Sequence, residues 1–68
     1  MSGTHDHLVY MANQIAANLA MEADAVKATA DHIEAFWDPR MVAAVLSDGA
    51  GLSPVAAAAF EVLRGAEV

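Results

Sequence analysis

Cysteine is absent from this chain of 68 residues, which excludes disulfides and thiolate chemistry and suits a cytosolic setting. Basic residues are almost absent too. Lys27, Arg40 and Arg64 stand against nine acidic side chains, for a formal charge of −6. Binding to DNA or RNA depends on clustered Lys and Arg that neutralise phosphates, so no nucleic-acid partner is expected. An anionic membrane surface is disfavoured for the same reason, and no apolar run approaches the roughly 18 residues of a membrane span. The opening segment Met1–His7 has neither the basic nor the apolar region of a signal peptide. The expected location is therefore cytoplasmic. Strand signals are missing as well, since β-branched residues never alternate with polar ones over a useful length. That leaves an all-α chain.

Hydrophobic residues make up 57% of the sequence, but 17 residues are Ala, which buries little area apiece. The larger apolar side chains are too few for a thick core, yet too many for a short helical hairpin to hide. A surplus of this kind marks a partner site or a self-association face. Alanine filling solvent-facing helix positions for its propensity is the plainer alternative. A single domain over 1–68 is expected, with 1–4 frayed and 65–68 a tail, near the lower size limit for independent folding.

Four short helices follow from the apolar spacing. Leu8, Met11, Ile15 and Leu19, flanked by Ala12 and Ala16, form one stripe from about His5 to Met21, with Thr4 or Asp6 able to cap its start. Asp24 caps a second helix whose stripe is Val26, Ala30, Ile33 and Trp37, and Lys27 can pair with Asp31 one turn on. These two helices form an N-terminal hairpin. A third helix starts at Pro39, carries Met41, Val42, Val45 and Leu46, and stops at Ser47–Gly51, where two Gly supply the left-handed conformation. Ser53-Pro54 repeats the N-cap-then-proline signal. The last helix runs to about Arg64 with Val55, Ala58, Ala59, Val62 and Leu63 inward, Phe60 outward and Gly65 as its stop.

The densest information lies in Phe36-Trp37-Asp38-Pro39-Arg40-Met41. Pro39 cannot sit inside a helix but suits its first position, and Asp38 is a good N-cap. The run is thus a helix–break–helix corner carrying two large rings. Trp37 reads equally as a core keystone or an interface anchor. Arg40 can form a bidentate pair with a partner carboxylate or stack on a ring. Equally, it can bridge to Asp38, Asp48 or Glu34 of its own chain. Asn13, Gln14 and Asn18 lie beside the first stripe, either as a solvated flank or as amides facing a partner.

Candidate chemistry is thin. His5-Asp6-His7 has metal-ligand residue types, but alternation suits a loop rather than a helix, and the only other such pair is Asp31-His32. A solvated, mobile segment is the expectation there, and an exposed His32. No spacing pairs carboxylates as general acid and base, Ser2, Ser47 and Ser53 lack a nearby base, and Gly49-Ala50-Gly51 lacks the Lys of a phosphate loop. Four thin helices promise no obvious pocket. Catalytic, metal and cofactor-binding residues are all expected to be none, which leaves binding.

The strings Leu8-Val9-Tyr10-Met11-Ala12-Asn13-Gln14-Ile15-Ala16, Asp31-His32-Ile33 with Phe36-Trp37-Asp38-Pro39-Arg40-Met41, and Gly51-Leu52-Ser53-Pro54 occur in an order that resembles the delta subunit of NAD-dependent formate dehydrogenase. The similarity runs from about residue 7 to residue 64. It implies a small non-catalytic component of a cytoplasmic complex whose partner subunits carry a bis-pterin guanine dinucleotide with Mo or W, iron–sulfur clusters, FMN and NAD. It also implies docking on the catalytic large subunit, in support of assembly or stability. The contact is expected at Phe36, Trp37, Pro39, Arg40 and Met41, with Met11, Asn13 and Gln14. A transient chaperone for cofactor insertion and a free-standing helical homodimer are the alternatives.

Overall fold

Two of the four helices begin where an acidic or hydroxyl side chain precedes proline. In a computed structural model that describes residues 3–66, the chain forms α1 (Gly3–Asn18), α2 (Ala25–Phe36), α3 (Pro39–Ser47) and α4 (Pro54–Ala66). No strand occurs among the described residues. The Asp24 carboxylate accepts from the Lys27 backbone N–H at 3.0 Å, and Asp38 accepts from Arg40 N–H at 2.8 Å. Ser53 Oγ accepts more loosely from Ala56 N–H at 3.4 Å. Each satisfies an orphan donor of a first turn. Lys27 Nζ lies 2.9 Å from Asp31, and that hydrogen bond holds the ammonium above the ordinary lysine range.

Three expected boundaries move. Helix α1 already includes Gly3, so Thr4 and Asp6 lie within its first turn instead of capping it. There the Asp6 carboxylate faces the positive end of the helix dipole. The helix also stops at Asn18, and Leu19–Glu22 form turns closed by Leu19 N–H to Ile15 O and Glu22 N–H to Leu19 O, both 3.0 Å. Ala20 and Met21 are good helix formers; the reversal that seats α2 ends α1 there, not local propensity. Helix α4 runs through Gly65 to Ala66, because an exposed Gly weakens a helix without ending it. Of the tail expected at 65–68, residues 67–68 lie outside the described residues, as do residues 1–2 of the frayed start. In the α3–α4 loop only Gly51 takes a left-handed φ, at +93°.

The core is built around alanine. Ala12, Ala16, Ala30, Ala56 and Ala59 are all buried, alongside Leu8, Ile33, Trp37, Val42, Val45, Phe60 and Leu63. Small side chains let helix axes approach, so the large residues need only fill the ends and corners of each seam. The α1–α2 hairpin is present, but the broadest seam joins α2 to α4. Its radius of gyration, 10.8 Å, matches the roughly 11 Å of a compact domain this long. No described helix is long and apolar enough to cross a membrane.

Helix α4 turns a different face inward from the one its sequence suggests. Phe60, expected outside, is 2% exposed, and Val62, expected inside, is 51% exposed. The buried set is Ala56, Ala59, Phe60 and Leu63, which has the same helical spacing as the expected stripe. Phe60 is drawn inward by Trp37, with ring centroids 5.8 Å apart and planes tilted by 59°.

One buried polar group stands out in α2. Thr29 is fully buried and its Oγ1 has no hydrogen-bond partner among the described residues. Such an orphan costs about 1–3 kcal/mol. Thr29→Val, which keeps the β-branched shape, is expected to raise stability by about 1 kcal/mol. Thermal unfolding should show a Tm gain of roughly 4–8 °C; a lower Tm would mean that the hydroxyl is in fact satisfied.

Candidate functional site

The Asp38-Pro39 break splits the aromatic corner into two faces. Successive helical residues are rotated by about 100°, so Glu34 and Trp37 share one side of α2 while Phe36 falls nearly opposite Glu34. Trp37 is buried, whereas Phe36 is 75% exposed. Phe36 lies over the exposed His32 ring one turn earlier, at 4.7 Å between centroids. The even choice for Trp37 resolves to the core, and the outward ring of the pair is Phe36.

Beneath the corner lies a groove of about 520 Å³, contrary to the expectation of no pocket. Its lining joins three helices: Glu34 of α2 with Trp37 as that helix's C-cap, Pro39, Arg40, Val42 and Ala43 of α3, and Leu63 of α4. Pro39 positions this wall, since its fixed φ and missing N–H start α3 directly after the Asp38 cap. Arg40 stands at the rim with its side chain 94% exposed, and its Nε lies 3.5 Å from Asp38 Oδ1. Of its own-chain alternatives only Asp38 is met; Glu34 and Asp48 form no ion pair with it. Met41 is half-buried and packs against the core below.

The three candidate residues of α1 do not line this groove. Met11 is half-buried against the core. Gln14 is exposed and donates to Tyr10 Oη at 2.8 Å. Asn13 fastens the chain to itself: its Nδ2 donates to Gly51 O at 2.9 Å and its Oδ1 accepts from Ser53 N–H at 2.8 Å. One side chain thereby ties α1 to the turn that launches α4. The left-handed Gly51 is part of that fit, because a Cβ there would be strained by the backbone whatever the space. Asn13→Ala leaves the part-buried Ser53 N–H without its partner and should cost about 1–2 kcal/mol. Urea unfolding would register this as a lower midpoint at unchanged m, and an unmoved midpoint would show that water replaces the amide freely.

Sequence reasoning missed Glu34 as a groove wall and Arg64 as a brace. Arg64 Nη2 donates to Leu46 O at 3.1 Å, so a cation from α4 closes the C-terminal turn of α3. The three-residue steps from Glu34 to Trp37 and Trp37 to Arg40 were a visible signal for the groove, obscured by the intervening proline. The candidate metal segment is also placed differently: His5, Asp6 and His7 lie within α1, with His5 half-buried. No group of three or more His, Asp or Glu is placed to hold a metal among the described residues.

This arrangement offers a surface: an apolar groove lined also by a guanidinium and a carboxylate, and an exposed ring on the far side of the corner. No curated protein and no solved structure matches the chain. The family model of the NADH-dependent formate dehydrogenase delta subunit FdsD matches residues 7–60, a span that includes α2, α3, the groove corner and the Asn13 tie. This chain belongs to the NADH-dependent formate dehydrogenase delta subunit family.

Proposed function

We propose that this chain is a non-catalytic accessory subunit of a cytoplasmic, molybdenum- or tungsten-containing formate dehydrogenase. It docks on the catalytic large subunit and supports that subunit's assembly or stability. The observation that carries this reading is family membership over most of the chain. The exposed Phe36 and Arg40 at a rigid, capped corner add to it, since aromatic and arginine side chains are the usual anchors of interfaces. In this reading the bis-pterin guanine dinucleotide, iron–sulfur clusters, FMN and NAD site lie in partner subunits. Phe36, Pro39, Arg40, Gln14 and the groove-lining part of Trp37 meet the partner directly, while Met11, Met41 and Asn13 hold the surface in shape from below.

Native mass spectrometry of the complex purified through a tag on this chain tests the proposal. The expected result is a stable assembly containing the catalytic subunit with its pterin cofactor. Recovery of cofactor-free large subunit alone would make the chain a maturation chaperone. Recovery of the chain by itself as a dimer would overturn both roles.

A further inference from the structure

The cations of this chain are unequally committed. Lys27 is bonded to Asp31, and Arg64 to Leu46 O with Glu61 at 3.6 Å. Arg40 alone keeps its terminal guanidinium nitrogens unpartnered among the described residues, its one contact being Nε to Asp38. Glu34, which lines the same groove, is exposed and makes no hydrogen bond or ion pair among the described residues. With these two free charges, the groove's lining includes an apolar floor of Trp37, Val42, Ala43 and Leu63.

We infer that the groove receives one amphipathic helix of the catalytic subunit. That helix seats a large apolar side chain on the floor, with a carboxylate facing Arg40 and a basic residue facing Glu34. The inference rests on the accessory-subunit reading and goes beyond it by specifying the partner's chemistry. Charge complementarity selects that pattern, because burying either Arg40 or Glu34 under a purely apolar partner would strand a charge. A helix is selected over an extended segment because the described residues offer no strand edge for backbone pairing. A segment whose own backbone bonds are already satisfied is the one that can dock through side chains alone. A second copy of this chain is disfavoured, since each copy carries −6 and the pair would repel. The volume of about 520 Å³ leaves room for more than one large side chain.

The test places a photo-crosslinking amino acid at exposed Ala43 in the groove, with exposed Ala23 in the turn before α2 as the control, in the complex purified with the catalytic subunit. Irradiation should join position 43, and not position 23, to a peptide of the catalytic subunit that carries an apolar residue flanked within one helical turn by an acidic and a basic residue. In parallel, Arg40→Gln and Glu34→Gln should each weaken the complex about tenfold or more and flatten its salt dependence. Because both side chains are exposed, Tm of the isolated chain should not change. An intact complex with wild-type affinity in both variants would overturn the groove while leaving the accessory-subunit reading in place. A crosslink to a second copy of this chain, or to a peptide lacking the two charges, would overturn the occupant. Failure to recover any complex from the wild-type chain would overturn the reading itself, and the groove's occupant with it.

Discussion

Trp37→Ala is expected to leave a substantial fraction of this protein unfolded at 37 °C. Removing a buried aromatic costs about 3–5 kcal/mol through lost transfer energy and the cavity left behind. A chain of this length has only about 3–10 kcal/mol to lose. Trp37 is 8% exposed and meets Phe60 across the α2–α4 seam, so its loss also removes the contact that turns Phe60 inward. Circular dichroism during urea unfolding would measure the effect, and Trp37→Phe should recover part of it by keeping a ring beside Phe60. A loss below about 1 kcal/mol would mean that the corner is held by its neighbours instead. The result bears directly on function. Lost partner binding in Trp37→Ala would not separate unfolding from a missing contact, which is why the docking tests use the exposed Arg40 and Glu34.

The second large effect is expected from adding volume. Ala59 of α4 is fully enclosed in the core, and α4 packs most broadly against α2. Ala59→Leu must push the two axes apart or force an eclipsed rotamer, at a cost of about 1–3 kcal/mol and, at a site with no accessible surface, toward the upper end. The same exchange at exposed Ala35 on α2 should stay within about 0.5 kcal/mol of zero. Measured midpoints for the two variants would separate close packing from simple helix propensity. Equal, small shifts at both positions would mean that the seam has slack and that alanine is present for propensity alone.

Helix identity and most helix boundaries were legible because they depend on local chemistry. Asp24, Asp38-Pro39 and Ser53-Pro54 act on the backbone within one turn of themselves, so their meaning survives any tertiary arrangement. The Lys27–Asp31 pair was legible for the same reason. The stripes of α2 and α3 were readable because polar residues bracket them: Thr29 apart, their buried positions are Ala30, Ile33, Val42 and Val45. Helix α4 was not readable in this way. In Val55-Ala56-Ala57-Ala58-Ala59-Phe60-Glu61-Val62-Leu63 nearly every side chain is apolar, so several faces satisfy the helical period equally. Asn13 was ambiguous for another reason. Its partners, Gly51 and Ser53, lie 38 and 40 residues away, beyond the reach of any local pattern.

By itself the sequence determined that the chain is helical, where its capped and proline-led helices begin, and which family motifs it carries. Only the tertiary structure decided which faces meet: that Trp37 goes inward and Phe36 outward, that Phe60 rather than Val62 enters the core, and that Glu34 and Arg40 come to line one groove. The division follows from range. Capping and proline geometry act over one helical turn and are written in neighbouring residues. The choice among apolar faces is made by close packing between helices far apart in sequence, where alanine sets how near the axes come and the few large rings settle which orientation fits.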